Sequence, residues 1–408
     1  MSGPRVLYLC SNGVREPLVE SQVLAYLRAL RPGLSHVRLV TLERRAIAGD
    51  ERRRIAADLE DAGIAWTPLR SRPRLGPANL PYVVAAGTRL ARRLHRAERF
   101  ELTHARSFLP GQIGASLKDA AGVPLLFDMR GFWILEKRAK GSLRNRWLFE
   151  RLNAAERRLY DRADHLVSLT RAGERQLREW GVRTGVSVIP CCVDVDRFTP
   201  TPRPTGPLRL ISVGSMGPGY LPEAVFGIFR AALKLDPAAR LDVVTRDDET
   251  RVRAMAGECA VPLDNVTIRP LPPAEVPAAI GQADIGLCMI APSQAKIASS
   301  PTKLAEYLAC GRPVIATRGC GDVEADIAHH EVGMTIDPAG RGEDAAAVAA
   351  VWRMLDSDAD LSRRCRRVAE EEFSLSVGVS RYHAAYERVL SAGQAAAAPT
   401  DVPEPATV

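Results

Sequence analysis

Residues 299–316, SSPTKLAEYLACGRPVIA, combine a cation, a carboxylate and a helix start within a few positions. The pattern predicts a helix over about residues 301–310 with Ser300 as its N-cap. Lys303 and Glu306 stand three positions apart, so they share one face of that helix. Free N–H groups at a helix N-terminus bind anions, and together with Lys303 they predict a diphosphate site. Glu306 would accept hydrogen bonds from sugar or ribose hydroxyls; the alternative is a solvated Lys–Glu pair.

The loop 214–220, GSMGPGY, follows a strand-like run and is the second candidate for phosphate binding. Its residues Gly214, Ser215 and Gly217 are small enough to let the backbone approach a diphosphate; the alternative is a plain tight turn. The order G-x-x-G-x-G differs from the G-x-G-x-x-G of dinucleotide-binding enzymes, so no nicotinamide or flavin cofactor is expected. The other members of this predicted phosphate-binding set are Ser300, Thr302, Lys303 and Arg246, which follows the run LDVVT.

Polar residues also follow two strand-like runs of the N-terminal half. Asp128 and Arg130 come after VPLLF, whereas His104 and Arg106 belong to ELTHARS. Because carboxyl ends of parallel strands meet at one edge of a sheet, we expect these side chains to border one cleft. Arg130 would clamp a phosphate there and Trp133 would stack on a sugar ring; alternatively, Asp128 and Arg130 pair only to brace the loop. The remaining residues predicted at this cleft are Gly13 and Glu20, which follow the first strand.

Strand-like and helical runs alternate along the chain, which indicates βαβ units and parallel sheets. A proline-rich stretch after residue 190 separates two such series. We therefore predict an α/β protein with two Rossmann-like, doubly wound domains that face each other across a cleft. The predicted parts are a domain at 1–190, a linker at 191–207, a second domain at 208–375, a helical segment at 376–392 that packs back, and a disordered tail at 393–408.

The composition of the 408-residue chain, with 46% apolar and 25% charged residues, is typical of globular protein. It excludes collagen-like, coiled-coil and wholly disordered chains. No apolar run reaches the roughly 18 to 20 residues that span a bilayer, and MSGPRVLYLC indicates a first strand rather than a signal peptide. Eight cysteines without C-x-x-C spacing predict neither a disulfide framework nor a zinc site. We expect a cytoplasmic protein that can lie at the inner face of a membrane.

The net charge of +8 is unevenly distributed along the chain. Residues 1–200 hold 35 Lys and Arg against 21 Asp and Glu, a balance of +14, whereas residues 201–408 hold 21 against 27, a balance of −6. A basic first domain predicts an anionic or membrane-associated partner. The alternative is genome composition, because only six of the 56 basic residues are lysine.

The segment 299–316 resembles the donor-site helix of GT-B glycosyltransferases, particularly family 4, in which a glutamate five residues before a glycine binds the nucleotide ribose. Glu306 stands five residues before Gly311, and the stretches ADHLVSLT, VSVIPCCVDVDRF and ADIGLCMIAPS fit the same family. The resemblance covers about residues 5–392. It implies a retaining, metal-independent enzyme with a nucleoside-diphosphate sugar donor, expected to be UDP-linked, and no cofactor. The second domain would bind this donor and the first domain the acceptor, through Gly13, Glu20, His104, Arg106, Arg130 and Trp133. The expected catalytic residues are Lys303, Glu306, Asp128 and Arg130.

Three features depart from that family. Many members carry a pair of glutamates eight positions apart, and Glu306 corresponds to the second of them. This sequence has Ala298 at the position of the first, and it has Asp128 where many members carry a catalytic-loop histidine. The Arg and Lys that grip the diphosphate in many members are absent from loop 214–220. The pair Asp194-Val-Asp196 has the D-x-D spacing that holds a metal in the unrelated GT-A fold, but it lies in the linker, so no metal is expected.

The resemblance predicts sugar transfer to a glycan, lipid-linked or small-molecule acceptor. Two alternatives stay open, namely a nucleotide-sugar 2-epimerase of the same fold and a non-catalytic subunit that binds a nucleotide sugar. Ala298 makes the second alternative conceivable, because the family's first glutamate is missing. A nucleic-acid partner is not expected, since the basic residues are dispersed arginines with few aromatic residues between them.

Overall fold

The computed structural model describes residues 3–340 and 342–397. Within these residues, thirteen strands form two sheets in which every strand pair is parallel. None of the described helices is long and apolar enough to cross a bilayer.

The first sheet has seven strands in the order β3-β2-β1-β4-β5-β6-β7. They are β1 (Arg5–Cys10), β2 (His36–Glu43), β3 (Ala65–Arg70), β4 (Leu102–Arg106), β5 (Leu125–Asp128), β6 (His165–Ser168) and β7 (Val186–Val188). The helices of this half are α1 (Pro17–Val19), α2 (Ala25–Leu30), α3 (Gly49–Asp61), α4 (Asn79–Glu98), α5 (Phe108–Ala121), α6 (Trp133–Ala139), α7 (Arg146–Arg162) and α8 (Arg171–Glu179), with a π-helical turn at Glu20–Leu24. The inner strands β1, β4, β5 and β6 are buried along almost their whole length because both of their faces are covered.

Strand β3 has no counterpart among the strands predicted from sequence. It contains Pro68, which cannot donate a ladder hydrogen bond and interrupts the strand pattern. The strand lies at the edge of the sheet and pairs only with β2, where such a residue is tolerated.

The second sheet has six strands in the order β10-β9-β8-β11-β12-β13. They are β8 (Arg209–Val213), β9 (Arg240–Val244), β10 (Val266–Arg269), β11 (Ile285–Cys288), β12 (Val314–Thr317) and β13 (Gly333–Ile336). The helices are α9 (Pro222–Leu235), α10 (Glu249–Glu258), α11 (Val276–Gly281), α12 (Thr302–Ala309), α13 (Val323–His330), α14 (Glu343–Ser357) and α15 (Leu361–Glu372).

Each sheet reverses its strand order once, between β1 and β4 in the first and between β8 and β11 in the second. In doubly wound sheets, ligands bind outside the carboxyl ends of strands at such switch points. Residues that follow both switch points line one shared cavity, so the two sheets meet across it. The predicted fold class, with two doubly wound domains facing across a cleft, is therefore confirmed.

The last helix, α16 (Leu375–Ala397), returns to the first sheet and packs against α2, β4, β5 and β6. Its residues Tyr382, Tyr386 and Val389 join a core cluster with residues of β1 and β5. The helix is longer than the predicted 376–392, so the prediction of a disordered tail is wrong for residues 393–397. The rest of that predicted tail, 398–408, lies outside the described residues.

Candidate active site

Two adjoining cavities lie between the sheets. The large cavity, about 970 Å³, is lined by residues that follow β1, β4 and β5 on one side and by residues 299–303 on the other. The small cavity, about 400 Å³, is lined mainly by residues that follow β8 and β9, by Glu306 and by the α1 region. Helix α12 therefore contributes to both cavities.

Helix α12 is positioned by its apolar face. Leu304, Ala305 and Leu308 are buried in the core of the second domain. The opposite side of the helix faces the cavities, and Lys303 and Glu306 lie on it one turn apart. Lys303, in the first turn, lines the large cavity, and Glu306, one turn later, lines the small one. No carboxylate among the described residues lies within ion-pairing distance of Lys303, and the predicted alternative of a Lys303–Glu306 ion pair does not form.

The start of α12 differs from the prediction. The helix begins at Thr302, its N-cap is Pro301, and no side chain caps it. Ser300 is not the N-cap, because its Oγ accepts a hydrogen bond of 3.1 Å from the N–H of Cys191 in the interdomain segment. Ser300 and Thr302 still line the large cavity, beside an uncapped helix N-terminus. The predicted end at Gly311 is confirmed by its positive φ of 72°.

The Lys303 ammonium lies against the loop after β8. A Cβ added to Gly214 would come within 3.3 Å of Lys303 Nζ, so the glycine permits the close approach. The same Nζ lies 4.9 Å from the centroid of the Tyr220 ring, a cation–π contact. Burial lowers the pKa of Lys303 from its usual value.

The small cavity combines apolar walls with the carboxyl group of Glu306. Val244, Leu271 and Val276 contribute apolar surface, and Glu306 lies among them. Burial raises the pKa of Glu306 to about 7, although the positive charge of Lys303 opposes the shift. The other predicted phosphate-binding residues that line this cavity are Gly214, Ser215 and Arg246.

Asp247, which the sequence analysis did not select, shapes the glycine loop. Its Oδ2 accepts hydrogen bonds from the hydroxyl of Ser215 (2.9 Å) and from the N–H of Met216 (2.5 Å). The Ser215 Oγ in turn accepts from the N–H of Gly217 (3.0 Å). Gly217 is buried and lines neither cavity, so the prediction that it faces a donor phosphate is wrong.

Three of the residues predicted at the N-terminal cleft, Arg106, Arg130 and Trp133, line the large cavity. The Trp133 ring stacks on Phe108 at 5.2 Å between centroids, which fixes one apolar wall. Lys137 Nζ lies 5.1 Å from the Trp133 ring. Arg130 also lies 3.8 Å from Asp128, so it braces the loop and faces the cavity at once.

His104 and Asp128 line neither cavity, and the prediction that they face the cleft is wrong. His104 Nδ1 lies 2.8 Å from the Tyr386 hydroxyl, its Nε2 lies 3.6 Å from Asp128, and the Tyr382 hydroxyl donates to Asp128 over 3.0 Å. Helix α16 covers this part of the sheet and buries both residues completely. Burial lowers the pKa of His104; it would raise that of Asp128, but Arg130 and His104 bring that pKa below its usual value.

Two further predictions for the N-terminal cleft are corrected by the structure. Gly13 packs against Glu43, whose Oε2 would lie 2.7 Å from an added Cβ, and Gly13 lines neither cavity. Glu20 borders the small cavity rather than the large one, and its exposed side chain pairs with Arg28 at 2.5 Å. Of the segment that follows the first strand, it is Ser11, Asn12 and Leu18 that line the large cavity.

The large cavity is strongly cationic. Seven basic residues line it against a single carboxylate, Glu136, which pairs with Lys296 at 3.5 Å. These basic residues are Arg44, Arg106, Arg130, Lys137, Lys140, Lys296 and Lys303. Sequence reasoning missed four of them, Arg44, Lys137, Lys140 and Lys296, because they lie outside motifs and converge only in three dimensions.

The D-x-D pair has a local structural role. Asp194 Oδ1 accepts hydrogen bonds from the N–H groups of Asp196 (3.1 Å) and Arg197 (3.3 Å), which forms a turn in the interdomain segment. Among the residues that the structure describes, no group of three His, Cys, Asp or Glu side chains is placed to hold a metal ion.

Two family descriptions match the chain in succession. "Glycosyl transferase 4-like domain" matches residues 19–192, and "Glycosyl transferases group 1" matches residues 208–357. The chain is a GT-B glycosyltransferase that resembles family 4.

Individual relatives support this assignment. The chain is 26% identical to the D-inositol 3-phosphate glycosyltransferase of Corynebacterium jeikeium over 78% of this chain and 80% of that protein. It is also 26% identical to that of Segniliparus rotundus, over 60% of this chain but only 56% of the relative. Sucrose-phosphate synthase from Thermosynechococcus elongatus superposes with a TM-score of 0.72 at 16% identity, covering 95% of this chain and 100% of the other. Anabaena Alr3699/HepE in complex with UDP superposes with a TM-score of 0.69 at 14% identity, covering 94% and 99%.

The position of the missing family glutamate is closed in this glycosyltransferase. Ala298 is fully buried in a core cluster of the first domain. A Cβ added to Gly173 would already lie 2.8 Å from the Ala298 Cβ, so this space has no room for a longer side chain. The loss of the glutamate is therefore accompanied by tight interdomain packing at the same place.

The raised pKa of Glu306 predicts a pH-dependent cost in stability. The unfolded carboxyl has a pKa of about 4.5 and the folded one about 7, so the folded state is progressively destabilised as pH rises between these values. Glu306→Gln removes this cost. We expect its melting temperature, relative to the parent, to rise from pH 5 to pH 8, corresponding to about 1 to 3 kcal/mol.

Thermal unfolding at pH 5, 6, 7 and 8 measures this difference. Glu258→Gln, which changes an exposed carboxyl on α10, is the matched control and should show no trend. A constant difference between Glu306→Gln and the parent across the four pH values would contradict the raised pKa.

Proposed function

We propose that this glycosyltransferase transfers a sugar, with retention of anomeric configuration and without a metal, from a UDP-sugar to a glycan, lipid-linked or small-molecule acceptor. The observation that carries the proposal is the pair of unpaired groups on α12, Lys303 at the large cavity and Glu306 at the small one. These groups match two parts of one ligand, a diphosphate and a ribose.

The small cavity suits the nucleoside. Its apolar walls at Val244, Leu271 and Val276 would contact the base, and ionised Glu306 would accept hydrogen bonds from ribose hydroxyls. The uncapped N-terminus of α12 and Lys303 would hold the diphosphate at the boundary between the cavities. Alr3699/HepE, which shares the fold, binds UDP, and this supports uridine as the base.

The chemistry requires stabilisation of a negatively charged leaving group. As the bond between the anomeric carbon and the β-phosphate oxygen breaks, the diphosphate gains charge next to Lys303 and the helix N-terminus. The one carboxylate that lines the large cavity, Glu136, is paired with Lys296 and is not a free nucleophile. The acceptor oxygen would therefore bond to the anomeric carbon on the face that the diphosphate leaves, and its proton would pass to the departing β-phosphate.

Binding of UDP without a metal is the first test. We expect calorimetry to give the same UDP affinity with and without a chelator, because Lys303 and backbone N–H groups neutralise the diphosphate. At about 100 times the dissociation constant, UDP should also stabilise the protein by roughly 2.7 kcal/mol. Loss of binding on chelation would overturn metal independence, and a preference for GDP would overturn the choice of nucleotide.

Lys303 and Glu306 should have separable kinetic effects. Lys303→Ala removes a group that acts on transition-state charge, so it should lower kcat about 100- to 1,000-fold with a smaller change in donor KM. Glu306→Gln should mainly raise the donor KM, because ribose hydroxyls are bound equally in the ground and transition states. The ratio of UDP affinity between the parent and Glu306→Gln should rise as pH passes 7 and Glu306 ionises, because ionisation of the UDP phosphate, with a pKa of about 6, affects both proteins alike.

The control for Lys303→Ala is Lys234→Ala on α9, which removes an exposed lysine far from both cavities. Steady-state transfer and donor hydrolysis should be measured together with UDP binding. Parental kinetics in both variants would place the donor site elsewhere, and UDP binding with neither transfer nor hydrolysis in the parent would favour a non-catalytic subunit.

We also propose that the first domain contacts an anionic membrane surface. Beside the residues of segment 140–152 that line the large cavity, a basic rim includes Trp147, which is 64% exposed and has the Arg151 guanidinium 4.7 Å from its ring. The rim consists of Arg138, Lys140, Arg144, Arg146 and Arg151, all exposed, of which Arg146 pairs with Glu150 and Lys140 lies 4.0 Å from Glu136. Each basic residue near an anionic bilayer contributes about 1 kcal/mol of attraction, and tryptophan is favoured at the membrane interface.

Vesicle sedimentation tests the membrane contact. We expect the protein to bind vesicles that contain phosphatidylserine and not neutral vesicles, and binding should weaken with salt because charges are screened beyond about 8 to 10 Å. Arg144→Glu with Trp147→Ala should reduce binding roughly 10-fold or more. Arg92→Glu with Arg93→Glu on α4 changes exposed charges elsewhere on the same domain and is the control. Equal binding to both vesicle types would contradict the contact.

A further inference from the structure

Arg106 is a buried cation without a partner. It is the last residue of β4, it is only 3% exposed, and it lines the large cavity. Its Nε has no hydrogen-bond partner, and no carboxylate of the described residues lies within 4.0 Å of its guanidinium. Burying a guanidinium costs free energy unless an anion compensates its charge. The arrangement is therefore typical of a site that binds an anionic ligand.

The helix that follows Arg106 points its N-terminus at the same cavity. Helix α5 is 14 residues long, and no side chain caps its N-terminus at Ser107. Ser107 has a φ of 79°, which a non-glycine residue rarely adopts, and is held there because its N–H donates to the Asp128 carbonyl over 2.7 Å. Ser107 and Leu109 line the cavity, so the free N–H groups of the first turn lie beside Arg106; they are those of Phe108 and Leu109, because Pro110 has none.

A second arginine completes the cluster at the end of the neighbouring strand. Arg106 and Asp128 are paired in the register of β4 and β5, and Arg130 follows two residues later with a φ of 57°. Arg130 lies 3.8 Å from Asp128 and donates to Cys191 Sγ over 3.0 Å. Two guanidinium groups therefore share one nearby carboxylate, which leaves about one uncompensated positive charge at this wall of the cavity.

We propose that Arg106, Arg130 and the first turn of α5 bind a phosphate group of the acceptor. This inference rests on the proposed function, because it assumes that the large cavity holds the acceptor. A phosphate could also come from the donor diphosphate, but Lys303 and α12 already face that group from the opposite domain. The cluster belongs to the first sheet, so it reaches the acceptor side of the cavity. The acceptor class is then a phosphomonoester.

The test measures phosphate binding to the full-length protein saturated with UDP, so that the donor site is occupied. The probes are inorganic phosphate and D-inositol 3-phosphate, with inositol as the uncharged match. We expect both phosphate-bearing probes, but not inositol, to bind the UDP complex. Arg106→Gln should weaken their binding roughly 10- to 100-fold, as expected for loss of a charge-assisted contact. It should leave UDP affinity unchanged.

Two variants separate this site from general effects. Arg93→Gln removes an exposed arginine of the same domain and should bind as the parent does. Arg106→Lys keeps the charge and should recover part of the lost affinity, which a merely structural role would not produce. Thermal unfolding of each variant verifies that it is folded.

Three results would overturn the proposal. The first is parental phosphate affinity in folded Arg106→Gln. The second is failure of both phosphate probes to bind the UDP complex. The third is that UDP abolishes phosphate binding and that Arg106→Gln also binds UDP more weakly. In that case the cluster would bind the donor diphosphate instead of the acceptor. Absence of UDP binding to the parent would instead contradict the proposed function itself.

Discussion

The burial of one face of α12 is the constraint on which the site depends. Leu304, Ala305 and Leu308 are held in the core of the second domain, and this fixes the rotation of the helix. Lys303 and Glu306 must then face two adjoining cavities, although neither has a partner of opposite charge within ion-pairing distance. Desolvation without pairing brings the pKa of Glu306 to about 7 and lowers that of Lys303. Lys303 and Glu306 therefore remain available for ionic and hydrogen-bonding contacts with a ligand.

Among the described residues, the fold places seven basic side chains at the large cavity and leaves it without a free carboxylate. Asp128 lies beneath α16, where Tyr382 and His104 contact it, and Ala298 occupies a closed core position. The remaining carboxylate, Glu136, is paired across the domains with Lys296. The result is a cavity with basic groups on both walls, which is the environment that the proposed diphosphate leaving group and the proposed anionic acceptor require.

Much of the fold could be predicted because the hydrophobic pattern is local. Buried parallel strands appear as apolar runs, and their alternation with helices indicated two doubly wound sheets. Strand β3 was not predicted because Pro68 interrupts its pattern. A proline is tolerated there because the strand lies at the edge of the sheet, and only the assembled sheet defines that position. Lys303, Glu306, Gly214 and Arg246, which the sequence predicts as donor-binding residues, line the cavities because strand ends and helix starts are themselves local features.

The sequence by itself determined the two-sheet architecture, the α12 segment and its chemistry, and the basic character of the first half. Only the tertiary structure decided which polar residues of that half face the cavity. His104 and Arg106 are two residues apart on β4, yet α16 buries the first with Asp128 and leaves the second at the cavity. That outcome depends on a helix more than 250 residues away in the chain, and no local pattern records such a contact. Arg44, Lys137 and Lys296 likewise share a cavity only because distant segments pack together, and their combined charge is a property of the fold.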